Sequence, residues 1–278
     1  PHCILFLSHS LQLPPELSRY SAQMALTLPT EQELLHLVRE EAALWSRAHG
    51  SQKVRTDSAT LDALVANLRG MTFADARKLA RVAIYNDGEI TSRDVAEVNR
   101  AKFSLMRMDE VLNYEYDTAS FSDVGGLSAL KNWLGLRKER FLRYAGNPSD
   151  TTAVDMPKGI MLLGVQGSGK SLAAKATAGS LGIPLLRMDF AALYNKFIGE
   201  TERNLREALK LADMMAPCVL WIDEIEKGIS GDEGDNGVSK RLLGALLTWM
   251  AERKSPVFLV ATSNDISRLP PELVRKGR

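Results

Sequence analysis

Residues 159–171 read GIMLLGVQGSGKS, an apolar run that passes through a glycine-rich turn into the alanine-rich stretch SLAAKATAGSLG. The run is short, continuous and apolar, which predicts a strand. The alanine-rich stretch predicts a helix. Between them lies Gly164-Val165-Gln166-Gly167-Ser168-Gly169-Lys170-Ser171, spaced G-x-x-x-x-G-K-S. A glycine turn in that position sets backbone N–H groups at a helix N-terminus, where unsatisfied donors and the positive end of the helix dipole favour phosphate. Lys170 is then expected to reach the β- and γ-phosphates, and the Ser171 hydroxyl to ligate Mg²⁺. Leu172 closes the set of candidate nucleotide contacts. A glycine-rich turn alone would be a weak signal; the strand before it and the helix after it make the reading specific.

Some fifty residues on, CVLWIDEIEK at 218–227 is a second apolar strand, and it ends in Asp223-Glu224. Both carboxylates are carried to the C-terminal edge of the sheet, where open α/β sheets bind ligands. An acidic pair after a strand also suits a helix N-cap. Paired with the phosphate turn, it reads as Asp223 in the Mg²⁺ shell and Glu224 as the base that orients and deprotonates water. The next strand, PVFLVATSND, ends in Thr262-Ser263-Asn264, and Asn264 is the candidate for positioning that water. With PLLRMDF at 184–190, four short apolar runs alternate with helical stretches from Phe121 onward. That alternation predicts a parallel sheet with helices on both faces.

Composition narrows the remainder. The chain has 278 residues, 45% hydrophobic and 25% charged, with a net charge of +1. This is ordinary for a globular protein of two domains and advertises neither nucleic acid nor an anionic membrane. No basic stripe interleaved with aromatics supports a nucleic-acid motor. No apolar stretch approaches the roughly 20 residues of a membrane span. Cys3 and Cys218 sit in separate apolar runs and read as buried, reduced thiols. His2, His9, His36 and His49 show no metal-ligand spacing.

The order of phosphate turn, acidic strand, polar strand and closing arginines resembles the AAA+ ATPases, and the segment FSDVGGLSALKNWL at 121–134 resembles the opening of that family's core. Within the family, LKNWLGLRKERF, PKGIMLLGVQGSGKSLAAKA, APCVLWIDEIEK and LLTWMAE are most similar to the AAA ATPases named for a conserved chloroplast open reading frame. The resemblance implies a RecA-like P-loop core over 121–278 that uses ATP and Mg²⁺. Asp123, Val124 and Gly125 would border the adenine. Arg275 and Arg278, in the closing LVRKGR, match arginine fingers that act on a neighbour's γ-phosphate. This implies a homo-oligomeric ring, expected to be a hexamer. Phe197-Ile198-Gly199 matches an aromatic–hydrophobic–glycine pore loop that grips polypeptide; a phenylalanine packed on its own helix is the alternative. The expected activity is ATP hydrolysis that remodels or threads protein, and the alternative is a nucleotide-switched regulator of a partner complex. The expected location is the cytoplasm, or the plastid stroma in an alga.

The first half reads differently. Residues 31–105 look wholly helical: Thr30 and Glu33 form a capping box, and Leu34, Leu37, Val38, Glu41, Leu44 and Trp45 keep a near-3.6 period. Thr72 is placed to cap a third helix and Asn86-Asp87-Gly88 to stop it. The sequence LPPEL occurs at 13–17 and again at 269–273, each time after an apolar strand with a small polar end. Arg19 falls where Arg275 falls, but Ser10 and Ala22 replace Asn264 and Arg278. The expected organisation is therefore the end of a degenerate first AAA-like core at 1–30, its helical lid at 31–107, a linker at 108–120 and the live core at 121–278. Further sequence is expected before residue 1, and a second lid after Arg278. The lid segment LRGMTFADARKLARVAI departs from the family at Phe73, which leaves a nucleotide-sensing Arg77 open.

Overall fold

Cys218–Asp223 and Val257–Ser263 are apolar almost without interruption, and only a strand covered on both faces has a use for that pattern. In a computed structural model describing residues 15–22, 24, 27–106, 111–146, 157–190, 193, 200–229 and 237–274, they form the middle of a five-stranded sheet. The strands are β1 (Leu112–Glu115), β2 (Gly159–Leu163), β3 (Leu185–Asp189), β4 (Cys218–Asp223) and β5 (Val257–Ser263). Their spatial order is β1-β3-β4-β5-β2, with β3, β4, β5 and β2 mutually parallel.

Among the described residues, four helices of 11 residues or more precede the phosphate strand's unit: α1 (Glu31–Ala48), α2 (Ser58–Leu68), α3 (Phe73–Ile84) and α4 (Ser92–Met106). Four more serve the sheet: α5 (Ser128–Gly146), α6 (Lys170–Leu181), α7 (Glu200–Met214) and α8 (Val238–Glu252). Leu134 and Phe141 of α5, with Ala174 and Ala178 of α6, bury one sheet face against Val219, Trp221, Phe258 and Val260. Phe141 and Phe258 meet edge to face at 5.6 Å. The opposite face packs Leu220, Ile222, Leu259 and Ala261 against α7 and α8. Helices thus cover both faces, as the alternation predicts.

The four expected strands are parallel, and one further strand joins their edge from within residues 108–120, the stretch expected to be a linker. Leu112–Glu115 pairs antiparallel with β3, Leu112 opposite Met188 and Glu115 opposite Leu185. Leu112 is fully buried, but the strand is four residues long and acid-flanked, too short for a period to show. Beyond it the chain crosses α6 at Gly179, where a Cβ would lie 2.2 Å from the Ala119 carbonyl oxygen. Leu44 keeps the helical period but is 46% exposed, while its periodic partners Leu34, Leu37, Val38, Glu41 and Trp45 are buried.

The N-terminal helices form where their caps put them. Thr30 N–H donates to Glu33 Oε2 at 2.8 Å, and the Thr30 hydroxyl accepts from Glu33 N–H at 3.4 Å, completing the capping box. Thr72 caps α3 through its hydroxyl, which accepts from Asp75 N–H at 3.2 Å. Glu41 is buried on the inner face of α1, where it accepts from Arg81 Nε at 2.8 Å and forms an ion pair with Arg77 Nε at 3.1 Å. These contacts give Arg77 a structural task inside the helical unit. Both LPPEL copies begin a four-residue helical turn at their second proline, Pro15–Ser18 and Pro271–Val274, where a missing N–H costs nothing. The first apolar strand, expected at Cys3–Leu7, lies outside the described residues.

One lysine joins the helical unit to the sheet. Lys102 of α4 is fully buried and donates to the carbonyl oxygen of Arg69, 2.7 Å away, and to that of Met214 at the end of α7. Burial pushes its ammonium down to about 7, with Arg69 acting the same way and Cys218 opposing. Between about pH 7 and about pH 10 the unfolded chain holds this proton and the folded chain does not, so stability rises with pH through that window and levels off below it. The urea midpoint should therefore climb more steeply from about pH 7 to about pH 9 in the wild type than in Lys102→Met. Equal slopes would show that Lys102 is not the titrating group.

Candidate active site

β2 delivers the chain into Gly164 at the C-terminal edge of the sheet, and α6 leaves from Lys170. Gly167 and Gly169 take φ of +81° and +84°, values that side-chain-bearing residues rarely adopt. A Cβ at either would meet nothing within 4 Å, so conformation rather than crowding requires glycine there. Gly164 N–H donates to Ser263 O at 3.3 Å, which ties the turn to β5. Val165 is 75% exposed, and Lys170 Nζ folds back onto the carbonyl oxygens of Gly164 and Val165 at 2.7 and 2.8 Å. The turn is thus an open cradle at the start of a twelve-residue helix, the form a phosphate group fits.

The acidic strand lies two positions away, across β5. Asp223 Oδ1 accepts from the Thr262 hydroxyl at 2.8 Å, and that same hydroxyl accepts from Glu224 N–H at 3.0 Å. Glu224 has φ of +48°, a strained value for a residue with a side chain. Its strain is held on three sides. Thr262 fixes the backbone, Asn264 Nδ2 donates to Glu224 Oε1 at 2.8 Å, and Lys227 Nζ forms an ion pair with Oε2. The Lys227 contact, with Asn264 in support, holds the Glu224 carboxyl below the usual range, while partial burial opposes it. Asn264 is itself anchored, its N–H donating to Glu226 Oε1 at 2.9 Å.

The residues expected around the phosphate site therefore converge. Gly164 through Leu172 form the turn and first helical residues, and Asp223, Glu224 and Asn264 form one hydrogen-bonded group on the adjoining strands. Ser171 and Asp223 suit Mg²⁺, a hard cation that keeps several waters and takes few protein ligands. Among the described residues no group of three or more His, Cys, Asp or Glu side chains could hold a metal ion. Asp123 accepts from Ser120 N–H at 3.0 Å and Val124 is buried, its carbonyl accepting from Lys131 Nζ at 2.6 Å. Asp123, Val124 and Gly125 thus shape the turn that leads into α5. The expected pore residues Phe197, Ile198 and Gly199, and the arginines Arg275 and Arg278, lie outside the described residues. Cys218 is buried and free, as its apolar run predicts.

Three participants carry little sequence signal. Thr262 belongs to the polar end of β5, but its bridging of both acidic residues needs the register to be seen. Lys227 shows only as a cation three residues after Glu224. Arg187, which donates to Asp223 Oδ2 at 2.7 Å, is a charge inside an apolar run.

Comparison with known proteins agrees with this geometry. Residues 160–278 match the ATPase family associated with various cellular activities (AAA), and residues 32–109 match the second domain of SpoVK-like AAA ATPases. The chain carries an AAA ATPase domain. The AAA domain-containing protein ycf46 of Guillardia theta is 35% identical over 99% of this chain and 53% of its own length. The ycf46 protein of Gracilaria tenuistipitata var. liui is 42% identical over 64% of this chain and 36% of its own. A cell division cycle protein 48 homolog of Archaeoglobus fulgidus is 34% identical over 68% of the chain and 26% of its own length. The chain spans about half the length of the Guillardia relative it matches.

Thr262→Val keeps the shape of β5 but leaves Asp223 Oδ1 without its hydroxyl donor and Glu224 N–H without its acceptor. The variant should lose about 1–3 kcal/mol in urea unfolding, and Thr262→Ser should recover most of it. A Thr262→Val variant as stable as the wild type would mean that the hydroxyl does not hold the acidic corner.

Proposed function

We propose that this chain binds Mg·ATP at residues 164–172 and hydrolyses it. The observation that supports this most is the strained Glu224, fixed by Thr262 and Asn264 beside an open phosphate turn. Strain of this kind is maintained by surrounding contacts and gathers at functional sites. Gly164–Gly169 would wrap the phosphates with backbone N–H groups, Lys170 would exchange its carbonyl partners for phosphate oxygens, and Asp123, Val124 and Gly125 would border the base. Mg²⁺, held through Ser171 and Asp223, would supply charge neutralisation on the phosphates. Glu224 would take the proton of the attacking water while Asn264 orients it.

We place the working unit in a homo-oligomeric ring, taken as a hexamer, in which Arg275 and Arg278 complete the neighbour's site with guanidinium forks suited to phosphate. Phe197-Ile198-Gly199 would line its channel and grip polypeptide, so that hydrolysis remodels or threads protein. Residues 1–30 and 31–107 are assigned to the end of a first AAA-like core and its lid, and residues 121–278 to the core that does the chemistry. None of the described helices is long and apolar enough to cross a membrane. We assign the chain to the cytoplasm, or to the plastid stroma in an alga.

Lys170→Ala should abolish measurable binding of a fluorescent ATP analogue. Glu224→Gln should retain binding but slow phosphate release at least about 100-fold, and it should hold assemblies together in ATP on size-exclusion chromatography. Hydrolysis by Glu224→Gln at the wild-type rate would remove Glu224 as the base. Phe197→Ala should hydrolyse ATP normally yet fail to unfold a tagged substrate. Unchanged unfolding would favour a nucleotide-switched regulator over a threading ring.

A further inference from the structure

Asp223 has both carboxylate oxygens engaged by protein. Oδ1 accepts from Thr262, and Oδ2 accepts from Arg187 Nη2 at 2.7 Å. The Thr262 bond also supports the Glu224 backbone, so the oxygen most easily released is the one facing Arg187. Arg187 stands on β3, opposite Trp221 of β4, with its guanidinium carbon 4.9 Å from the Trp221 ring centroid. A second carboxylate waits beside it. Glu115 of β1 has Oε1 3.9 Å from Arg187 Nη1, and its Oε2 is 3.5 Å from Lys175 Nζ. Lys175 also reaches Asp117 at 3.6 Å, and it sits on α6, five residues after Lys170.

The five side chains make one alternating row under α6: Asp223, Arg187, Glu115, Lys175, Asp117. It runs from the acidic corner to the strand that follows the helical unit. Among the described residues the buried Arg187 Nε has no hydrogen-bond partner, so the guanidinium is held less firmly than its single short bond suggests. Its 39% exposure leaves it room to turn about its side-chain stem toward Glu115.

We propose that Arg187 competes with the divalent cation for Asp223, and that it passes to Glu115 when Asp223 turns to the cation, reporting metal occupancy to the edge strand β1. The proposal rests on the Mg·nucleotide reading of the site. A residue that merely oriented Asp223 for the metal would behave in the opposite way, because its removal would weaken metal binding. Removing a competitor strengthens it.

The full chain should be titrated with Mg²⁺ in the presence of a fluorescent ADP analogue, with bound nucleotide read by anisotropy. Arg187→Met should lower the Mg²⁺ concentration for half-maximal binding about fivefold, the scale of one part-exposed ion pair. Arg187→Lys keeps the charge but loses the planar fork, and should fall between the two. The second readout is tryptophan emission, since the guanidinium should leave the Trp221 ring. The Mg²⁺-dependent change seen in wild type should disappear in Trp221→Phe and in Arg187→Met. Normal nucleotide binding with an unshifted or raised Mg²⁺ requirement in Arg187→Met would overturn this proposal alone. If Arg187→Met fails to fold, an unshifted requirement in Arg187→Lys would overturn it equally. No nucleotide binding by the wild type would overturn the underlying site reading as well.

Discussion

Ile222 of β4 pairs with Ala261 of β5, and most of the chemistry in this chain depends on that register. One residue further along each strand, Asp223 meets the hydroxyl of Thr262, and just beyond the strand ends Glu224 meets the Asn264 side chain. Both strands are buried, with Leu220 and Ile222 on one face and Val219 and Trp221 on the other. Slippage by one residue would turn every one of these side chains to the wrong layer. The hydrophobic packing therefore fixes the polar corner to within a hydrogen bond, although none of the packed residues takes part in it.

Why β5 lies between the acidic strand and the phosphate strand follows from the parallel topology. β2 pairs with β5, not with its successor β3, so the turn after β2 and the acids after β4 flank the same polar strand end. This is the crevice at the strand C-termini where open α/β sheets bind ligands. The helices on each face enclose the sheet but leave this edge clear, and the exposed Val165 marks its mouth.

How much of this the sequence shows depends on how local the signal is. Gly164–Ser171 is legible because its whole mechanism lies in one turn: two positive-φ glycines, a helix start and a lysine. Asp223-Glu224 and the four parallel strands are legible because each strand writes a short continuous apolar run, buried almost throughout in β4 and β5. The edge strand β1 is not, because Leu112–Glu115 buries one side only and is too short to establish a period. Leu44 keeps the helical period yet faces solvent, since a period marks a stripe without fixing its width. Thr262, Lys227 and Arg187 act through neighbours 38, 3 and 36 residues away in the chain, and only Lys227 is near enough for spacing to suggest a partner.

The charged groups of the corner also share a property that no single contact reveals. Lys170 is held by carbonyl oxygens of its own turn, Glu224 by Lys227, and Asp223 by Arg187. Each group of the proposed chemistry thus already has a protein partner of the kind its ligand would replace. A carboxylate whose proton affinity is depressed by an adjacent lysine is a poor general base, so Glu224 gains basicity only when Lys227 moves off. Nucleotide binding in such a site is an exchange of partners rather than the filling of an unpaired field. The groups displaced, Lys227 and Arg187, then need new partners of their own. Arg187 has one within reach in Glu115, on the strand that follows α4, and α4 is the helix whose buried Lys102 ties the helical unit to the end of α7. Partner exchange at the acidic corner is therefore connected through a continuous set of contacts to the junction between the two halves of the chain.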